Sequence, residues 1–119
     1  MYQIREVTLK NGPTERNVLV IDFDDPKMKI VGEFLMADAS MLQGKIIQEI
    51  DFVLNSENQT ITSNGNRCSL KIGADTTIIS DLFNGMDGVD VYPSCEIETM
   101  KFRDLIVMWL TELKNFRQG

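Results

Sequence analysis

Histidine is absent from the 119 residues of the sequence, and cysteine occurs twice. Without histidine, the chain cannot by itself build a Ser-His-Asp triad, a Cys-His pair or a histidine metal site. Two cysteines fall short of the four ligands of a structural zinc site. The glycines form neither a G-x-G-x-x-G motif nor a P-loop. These absences favour a binding protein over an enzyme, with no catalytic residue, no metal and no cofactor.

Long apolar runs are absent as well. The stretch Leu105–Leu110 is the longest apolar run of the second half, far short of the roughly 20 residues that span a bilayer. Polar residues interrupt the start of the sequence every few positions, unlike a secretory signal. We therefore expect a cytoplasmic protein with no membrane segment. In that reducing compartment, Cys68 and Cys95 are expected to be separate buried thiols, with a disulfide or redox pair as the alternative.

Basic residues are scarce relative to acidic ones. The 12 Lys and Arg oppose 18 Asp and Glu, which gives a net charge of −6. Because proteins that bind nucleic acid present a basic face, this balance argues against direct nucleic-acid binding and favours a basic partner. The length suits one domain of ordinary size, so we expect residues 1–119 to form a single domain.

The acidic surplus is concentrated in one stretch of 29 residues, Ile72–Met100, which contains no lysine or arginine. The other 90 residues carry 12 basic and 12 acidic residues, so this stretch, here called the acidic window, holds the whole net charge. It is either a partner-binding face or a solvated surface. The candidate partner-binding residues are Asp75, Asp81, Asp87, Asp90, Glu96 and Glu98 in the window, and a second cluster of Asp22, Asp24 and Asp25.

Apolar periodicity predicts three strands in the first third of the chain. Alternation indicates a strand over Tyr2–Lys10, and a turn at Asn11–Pro13 leads to a second, well-buried strand over Asn17–Phe23. A further apolar run predicts a third strand over Met28–Met36, in which Gly32 marks a bulge.

Helical spacing of apolar residues predicts a central helix over Ala39–Leu54. Ser40 and Gln43 match a capping box at its start. A second apolar stripe predicts a C-terminal helix over Met100–Phe116, with Thr99 as its N-cap.

Trp109 lies on the apolar stripe of this second helix, which favours a core anchor over a binding platform.

Between the two helices, the sequence predicts four strands. Asn64 and Gly65 are typical of a hairpin turn, and Pro93 is expected at a sheet edge or a bulge. The connections between strands are mostly short. The predicted fold is therefore α+β: a mostly antiparallel sheet of about six strands, with the central helix and the C-terminal amphipathic helix packed on one face. The four strands are expected at Gln59–Thr62, Arg67–Ile72, Thr76–Ile79 and Val89–Glu98.

A small hydrolase that uses carboxylates and a metal is a further alternative. The stretch from Asp81 to Asp90 combines Asp, Asn and Gly, as calcium loops do. However, Phe83 and Gly85 occupy the third and fifth ligand positions, so the spacing of an EF-hand loop is not met. A glycosidase-type carboxylate pair is also disfavoured, because most of the nine aromatic residues fall at predicted core positions.

The second half of the sequence, SLKIGADTTIISDLFNGMDGVDVYPSCEIETMKFRDLIVMWLTELKNF, carries strands and an acidic loop that run into an amphipathic helix. In this pattern the chain resembles the small immunity proteins of bacterial contact-dependent growth inhibition and related polymorphic toxin systems. The same half is similar to the small YacL-like proteins of proteobacteria.

The first resemblance implies a protein that binds and neutralises a basic toxin domain, such as the nuclease at the C-terminus of a CdiA-type protein. The acidic window would then cover the basic substrate site of that toxin. The second resemblance implies an adaptor or housekeeping domain without a toxin partner, which could form a homodimer through an exposed strand edge.

Overall fold

The computed structural model of the protein describes residues 1–56, 59–83 and 92–118. Within these ranges the elements follow the order β1 (Tyr2–Asn11), β2 (Thr14–Phe23), α1 (Lys29–Phe34), α2 (Ser40–Leu54), β3 (Ile61–Asn64), β4 (Cys68–Ile72), β5 (Thr76–Asp81), β6 (Cys95–Glu98) and α3 (Thr99–Gln118). A 3-10 turn at Pro26–Met28 precedes α1, and a π-helical segment at Leu35–Ala39 joins α1 to α2. The predicted α+β class is confirmed.

The six strands of the described residues are all paired antiparallel, as predicted, but they form two sheets. β1 pairs with β2 along its full length. The other four strands form a sheet in the order β3-β4-β5-β6. The helices between β2 and β3 separate the hairpin from the larger sheet.

The predicted turns of both sheets are confirmed. Asn11–Pro13 connects β1 to β2, and Gly12 there has a φ of 64°, which glycine adopts without a steric penalty. Gly65 lies between β3 and β4, as the hairpin signal predicts. The last predicted strand is confirmed over Cys95–Glu98, at a sheet edge and after Pro93, whereas residues 89–91 lie outside the described ranges.

The predicted strand over Met28–Met36 is wrong, because this segment is helical. A start signal lies just before it: the Asp25 carboxylate accepts a hydrogen bond from the Lys27 N–H at 2.9 Å, and Pro26 occupies the first turn. Gly32 is part of α1 and packs against Phe23, so the predicted bulge is wrong too. The spacing of the buried residues is helical, which outweighs their β propensity; they are Ile30, Val31, Phe34 and Leu35.

The predicted central helix over Ala39–Leu54 is confirmed as α2. The helix start that the capping box at Ser40 and Gln43 predicts is wrong, because the chain is already helical before it reaches Ser40. A residue inside a continuous helical run has no free helix end to cap.

The predicted C-terminal helix is confirmed as α3, and Trp109 is 1% exposed within the core. The Thr99 hydroxyl lies at its start but contacts the Thr77 hydroxyl at 2.8 Å and donates to the Gly73 carbonyl. Thr99 thereby attaches the first turn of α3 to the turn between β4 and β5.

One apolar core joins the helices to both sheets. The rings of Phe34 on α1 and Phe102 on α3 lie 5.2 Å apart. At the edge of the core, Arg103 Nε donates to Asp51 Oδ1 at 2.7 Å, and this hydrogen bond lowers the pKa of Asp51. The largest buried side chains include Ile21, Leu35, Ile46, Ile50, Leu70, Ile72, Ile79 and Ile106.

Asp38 is a fully buried carboxylate on the π-helical segment. Its Oδ1 accepts hydrogen bonds from the N–H groups of Asn66 at 2.7 Å and Arg67 at 3.0 Å. Its Oδ2 accepts one from the Cys68 N–H at 2.8 Å. A Cβ atom at Gly65 would lie 2.5 Å from Asp38 Cγ, so the turn requires glycine there. One helical carboxylate therefore fixes the whole turn between β3 and β4.

Replacing Asp38 by Ala is expected to lower the free energy of unfolding by about 3 kcal/mol or more, because three backbone donors lose a charged acceptor. Asp38→Asn, which keeps one acceptor oxygen, should lose less. Urea denaturation measures both, and Glu112→Gln at an exposed position of α3 serves as the control. Equal stability of Asp38→Ala and the control would contradict the role assigned to Asp38.

Candidate functional site

The predicted acidic residues of the window divide into exposed and buried groups. Asp75, in the turn between β4 and β5, is exposed, and so are Glu96 and Glu98 on β6. Asp81 is buried. Asp87 and Asp90 lie outside the described residues.

Glu96 and Glu98 share one face of the larger sheet. Glu98 is opposite Thr76 and Glu96 is opposite Ile78 across the β5–β6 ladder. Since alternate residues of a strand point to the same face, the two carboxylates project together from the side opposite the core. β6 is also the edge strand of this sheet, so these carboxylates form an accessible acidic edge.

Asp81 is an internal anchor, since its side chain is 1% exposed. Arg67 Nη2 donates to Asp81 Oδ2 at 2.8 Å. The N–H groups of Phe83 and Tyr92 also donate to this carboxylate, at 2.9 and 3.1 Å. Burial opposes the charged form, but the hydrogen bonds prevail and lower the pKa of Asp81. This carboxylate therefore faces the protein and not a partner.

Arg67 is held by aromatic rings as well as by Asp81. Its guanidinium lies 4.5 Å from the ring centre of Phe83 and 5.6 Å from that of Tyr92, both within cation–π range. Burial acts against its charge, yet the hydrogen bond and the charge of Asp81 raise the pKa of Arg67. The ion pair between Arg67 and Asp81 thus holds Phe83 and Tyr92, the two residues that border the undescribed part of the acidic window.

The second predicted cluster, which precedes Pro26, is only partly free to meet a partner. Asp22 forms an exposed ion pair with Arg5 at 2.9 Å. The Asp25 carboxylate caps the 3-10 turn but remains exposed. Asp24 is exposed, and its backbone N–H donates to the Met1 carbonyl at 3.1 Å.

An apolar groove of about 560 Å³ lies beside this second cluster, between the start of the β1–β2 hairpin, β6 and α3. Three of the residues that line the groove are methionines. The Sδ of one of them, Met28, lies 3.8 Å from the Sγ of Cys95. Methionine adapts its shape to a bound group more readily than branched side chains do. The apolar lining consists of Met1, Tyr2, Phe23, Met28, Ile97, Leu105 and Met108.

Two carboxylates and one lysine line this groove. Asp25 and Asp104 both line it and are exposed. Lys101 lines it too, but its Nζ lies 3.9 Å from a carboxylate oxygen of Glu98. The groove therefore brings together Asp25 of the second cluster and Asp104, and Glu98 lies next to it through its contact with Lys101. We call Asp25, Glu98 and Asp104 the groove carboxylates.

Neither Asp104 nor the groove was predicted from the sequence. Asp104 lies outside the acidic window, within the predicted C-terminal helix. A signal was present: Leu105 and Met108 follow Asp104 at helical spacing beside the buried stripe, so this side of α3 is apolar and only half covered. Its opposite wall comes from β2, which no local pattern relates to α3.

The two thiols are separate, as predicted. Cys68 on β4 and Cys95 on β6 are free and buried, and β5 lies between their strands. Burial raises the pKa of both thiols, which makes them poor nucleophiles.

In the ranges that the structure describes, no three Cys, Asp or Glu residues come together as a metal site. Nor does any helix in these ranges have the length and apolarity needed to cross a membrane.

The chain is similar to a curated protein of Bacillus cereus that bears the name "Immunity protein". The two are 37% identical over 93 residues, which cover 78% of this chain and 77% of that protein. No protein-family model matches the chain, and no solved structure matches it significantly.

Replacing Asp81 by Asn is expected to weaken the acid dependence of stability. Its lowered folded pKa means that the unfolded chain binds the proton first. The stability from Asp81 is therefore full well above pH ~3.9, the unfolded value, and is lost as the pH falls from there through the folded pKa. The variant should lose about 3 kcal/mol at pH 7, because Arg67 loses its charged partner, and less at pH 3.

Urea denaturation from pH 3 to pH 7 measures this difference. Glu98→Gln, at an exposed carboxylate, is the matched control and should follow the wild-type curve. Parallel curves for wild type and Asp81→Asn would show that the Asp81 carboxylate does not contribute to the acid limb.

Proposed function

Since the chain belongs to the family of the Bacillus cereus immunity protein, we propose that it neutralises a nuclease toxin by covering the basic substrate site of that toxin. The partner we propose is the C-terminal domain of a CdiA-type toxin. Inhibition is stoichiometric and non-enzymatic. The groove carboxylates supply the charge, and the apolar groove supplies an anchor point.

The observation that carries this proposal is the apolar groove with its acidic surround. Energetically dominant contacts in protein interfaces are often large side chains, above all Trp, Tyr and Arg, that enter a pocket and are surrounded by contacts that exclude water. The groove of about 560 Å³ provides the pocket. The groove carboxylates Asp25, Glu98 and Asp104 provide the polar surround, so the fitting partner segment is an apolar side chain flanked by Lys or Arg.

A nuclease is the toxin class that best fits the charge. Nucleases bind a polyanion and therefore need a basic cleft. A protein of net charge −6 competes for such a cleft and is attracted to it at long range. Steering of this kind accelerates association by about 10- to 1,000-fold. Rapid capture suits a protein that must intercept a toxin before it acts.

The predicted contact set is refined by burial. Asp81 is left out, because its carboxylate is bonded internally. Asp104 is added from the groove. The proposed contact residues are Asp24, Asp25, Asp75, Glu96, Glu98 and Asp104, with Asp22 through its exposed pair and with Asp87 and Asp90 from the undescribed part of the window.

The proposed function is tested by coexpression with the C-terminal domain of the proposed CdiA-type toxin. We expect cells that carry the toxin domain to grow only when this chain is also made. The purified chain should suppress degradation of tRNA or DNA by the toxin at a one-to-one ratio. Growth arrest despite coexpression, with no binding in vitro, would favour the adaptor alternative. If this chain protects the cells but the toxin domain has no nuclease activity, the neutralising role would stand and only the assignment of the toxin as a nuclease would be rejected.

Reversing charges at the groove is expected to weaken toxin binding. Asp104→Lys combined with Glu98→Lys should raise the Kd at least tenfold, because both positions would repel a basic partner. Most of the change should be in the association rate, and it should diminish in high salt. Surface plasmon resonance against the proposed toxin domain measures the Kd and the association rate.

Glu112→Lys is the control for this experiment. It makes the same charge change as Asp104→Lys alone, at an exposed position of the same helix about 12 Å further along α3, and it is compared with that single variant as well as with the double one. If the groove variant and the control weaken binding equally, the toxin does not dock at the groove, although the neutralising role would stand.

A further inference from the structure

The β1–β2 hairpin extends well beyond the core. From Arg5 to Asn17, nearly all of its residues are exposed. In the described part of the chain, β1 has β2 as its one strand neighbour, so the other edge of β1 leaves backbone N–H and C=O groups without a ladder partner. A two-stranded hairpin is marginally stable in water by itself, and one with a free edge is a template for another strand.

The outer face of this hairpin carries four apolar side chains among polar ones. The cross-strand pair Val7 and Val18 lies on the face opposite to the one on which Ile4 and Ile21 meet the core. Leu9, two residues after Val7, shares this outer face and is 50% exposed. Val7 and Leu9 are therefore available to apolar side chains of a neighbouring strand on the same face of a sheet.

The sequence of β1 is complementary to itself in one register. When two copies pair antiparallel about Thr8, Glu6 of each copy faces Lys10 of the other, and Val7 faces Leu9. Even-numbered residues then face even-numbered residues, and odd-numbered residues face odd-numbered ones. This is required because the backbone N–H and C=O groups of alternate residues point away from β2 and towards the second copy. Two pairs of opposite charge and two apolar pairs result, both of which stabilise neighbouring strands.

Neighbouring registers lose this complementarity. Centring the pair on Glu6 places two like charges opposite each other. Centring it on Val7 places Arg5 opposite Leu9 and leaves Glu6 opposite Thr8. Charge therefore selects the register about Thr8.

The other strand edges of the described sheets are less suited to self-pairing. β3 and β6 have four residues each, against ten for β1. β2 also has ten residues and a second edge, but its C-terminal half packs against α1, where a Cβ at Gly32 would lie 3.6 Å from the Ile21 carbonyl oxygen. β6 also carries Glu96 and Glu98 without a cation, so two copies would oppose acidic side chains.

We propose that β1 binds β1 of a second copy, antiparallel and centred on Thr8, so that two hairpins form one four-stranded sheet. This homodimer does not rest on the proposed function. It goes beyond that function, because it concerns a surface that the toxin does not need.

Charge exchange between copies tests the register. Wild-type protein at about 100 μM should be a dimer by light scattering if the Kd is about 10 μM or below. Glu6→Lys alone should weaken the dimer at least tenfold, because the introduced lysine of each copy would face Lys10 of the other. Lys10→Glu alone should do the same, by placing two carboxylates opposite each other. An equimolar mixture of the two variants should regain the dimer. In a mixed dimer, the two lysines at positions 6 and 10 of one copy face the two glutamates at positions 10 and 6 of the other.

Glu15→Gln is the control, because it removes the 3.6 Å ion pair between Glu15 and Lys10 within one hairpin and leaves β1 intact. It should remain dimeric. Circular dichroism and urea midpoints confirm that each variant is folded. A monomeric wild type would overturn the proposal. So would a dimer that ignores the Glu6 and Lys10 charges, or a mixture that does not recover.

Cross-linking tests the same register without relying on charge. Thr8→Cys should form a disulfide-linked dimer under mild oxidation, because facing residues of antiparallel strands lie within the Cα distance that a disulfide spans. Lys10→Cys should not, since the two copies of residue 10 are offset along the strands. The native thiols Cys68 and Cys95 are buried and give little background. Cross-linking of Lys10→Cys but not Thr8→Cys would reject the register.

Discussion

A buried carboxylate that reaches from one element into the turn of another constrains most of this structure. Asp38 leaves the π-helical segment and satisfies three consecutive N–H groups of the β3–β4 turn. Because Arg67 is one of these residues, its side chain is directed to Asp81. Asp81 in turn accepts hydrogen bonds from Phe83 and Tyr92. Both ends of the undescribed part of the acidic window are therefore attached to one internal network.

Carboxylates consequently have two distinct roles in this acidic chain. Asp38 and Asp81 are buried and act as acceptors for backbone and guanidinium groups. A buried carboxylate without partners would be costly, but each of these two accepts several hydrogen bonds. Asp25, Glu98 and Asp104 are exposed; Asp25 and Asp104 line an apolar groove, and Glu98 contacts Lys101 at its rim. Each of these residues contributes equally to the acidic composition of the chain. The structure shows that only the exposed ones are available to a partner.

The sequence predicts elements whose signal is local. The stripe around Trp109 identified α3, and Asn64 with Gly65 identified the hairpin between β3 and β4. The strand predicted over Met28–Met36 was wrong because an apolar run suits a buried strand and a buried helix equally. Tertiary packing decides between the two there. The role of Asp38 was not predictable, because its partners lie 28 to 30 residues away. The groove shares this limit, since α3 and β2 meet only in the folded chain.

The β1–β2 hairpin contributes to both proposed surfaces, and their separation along it makes them compatible. Tyr2 and Phe23, at the start of the hairpin, line the groove. Pairing about Thr8 involves residues 5–11, and Thr8 lies about 20 Å along the strand from Tyr2. A second copy bound at β1 therefore leaves the groove of each copy open. Dimerisation would thus present two of the proposed toxin-binding grooves in one assembly, and Val7 of each copy would pack beside Leu9 of the other on the hairpin face that the groove does not use.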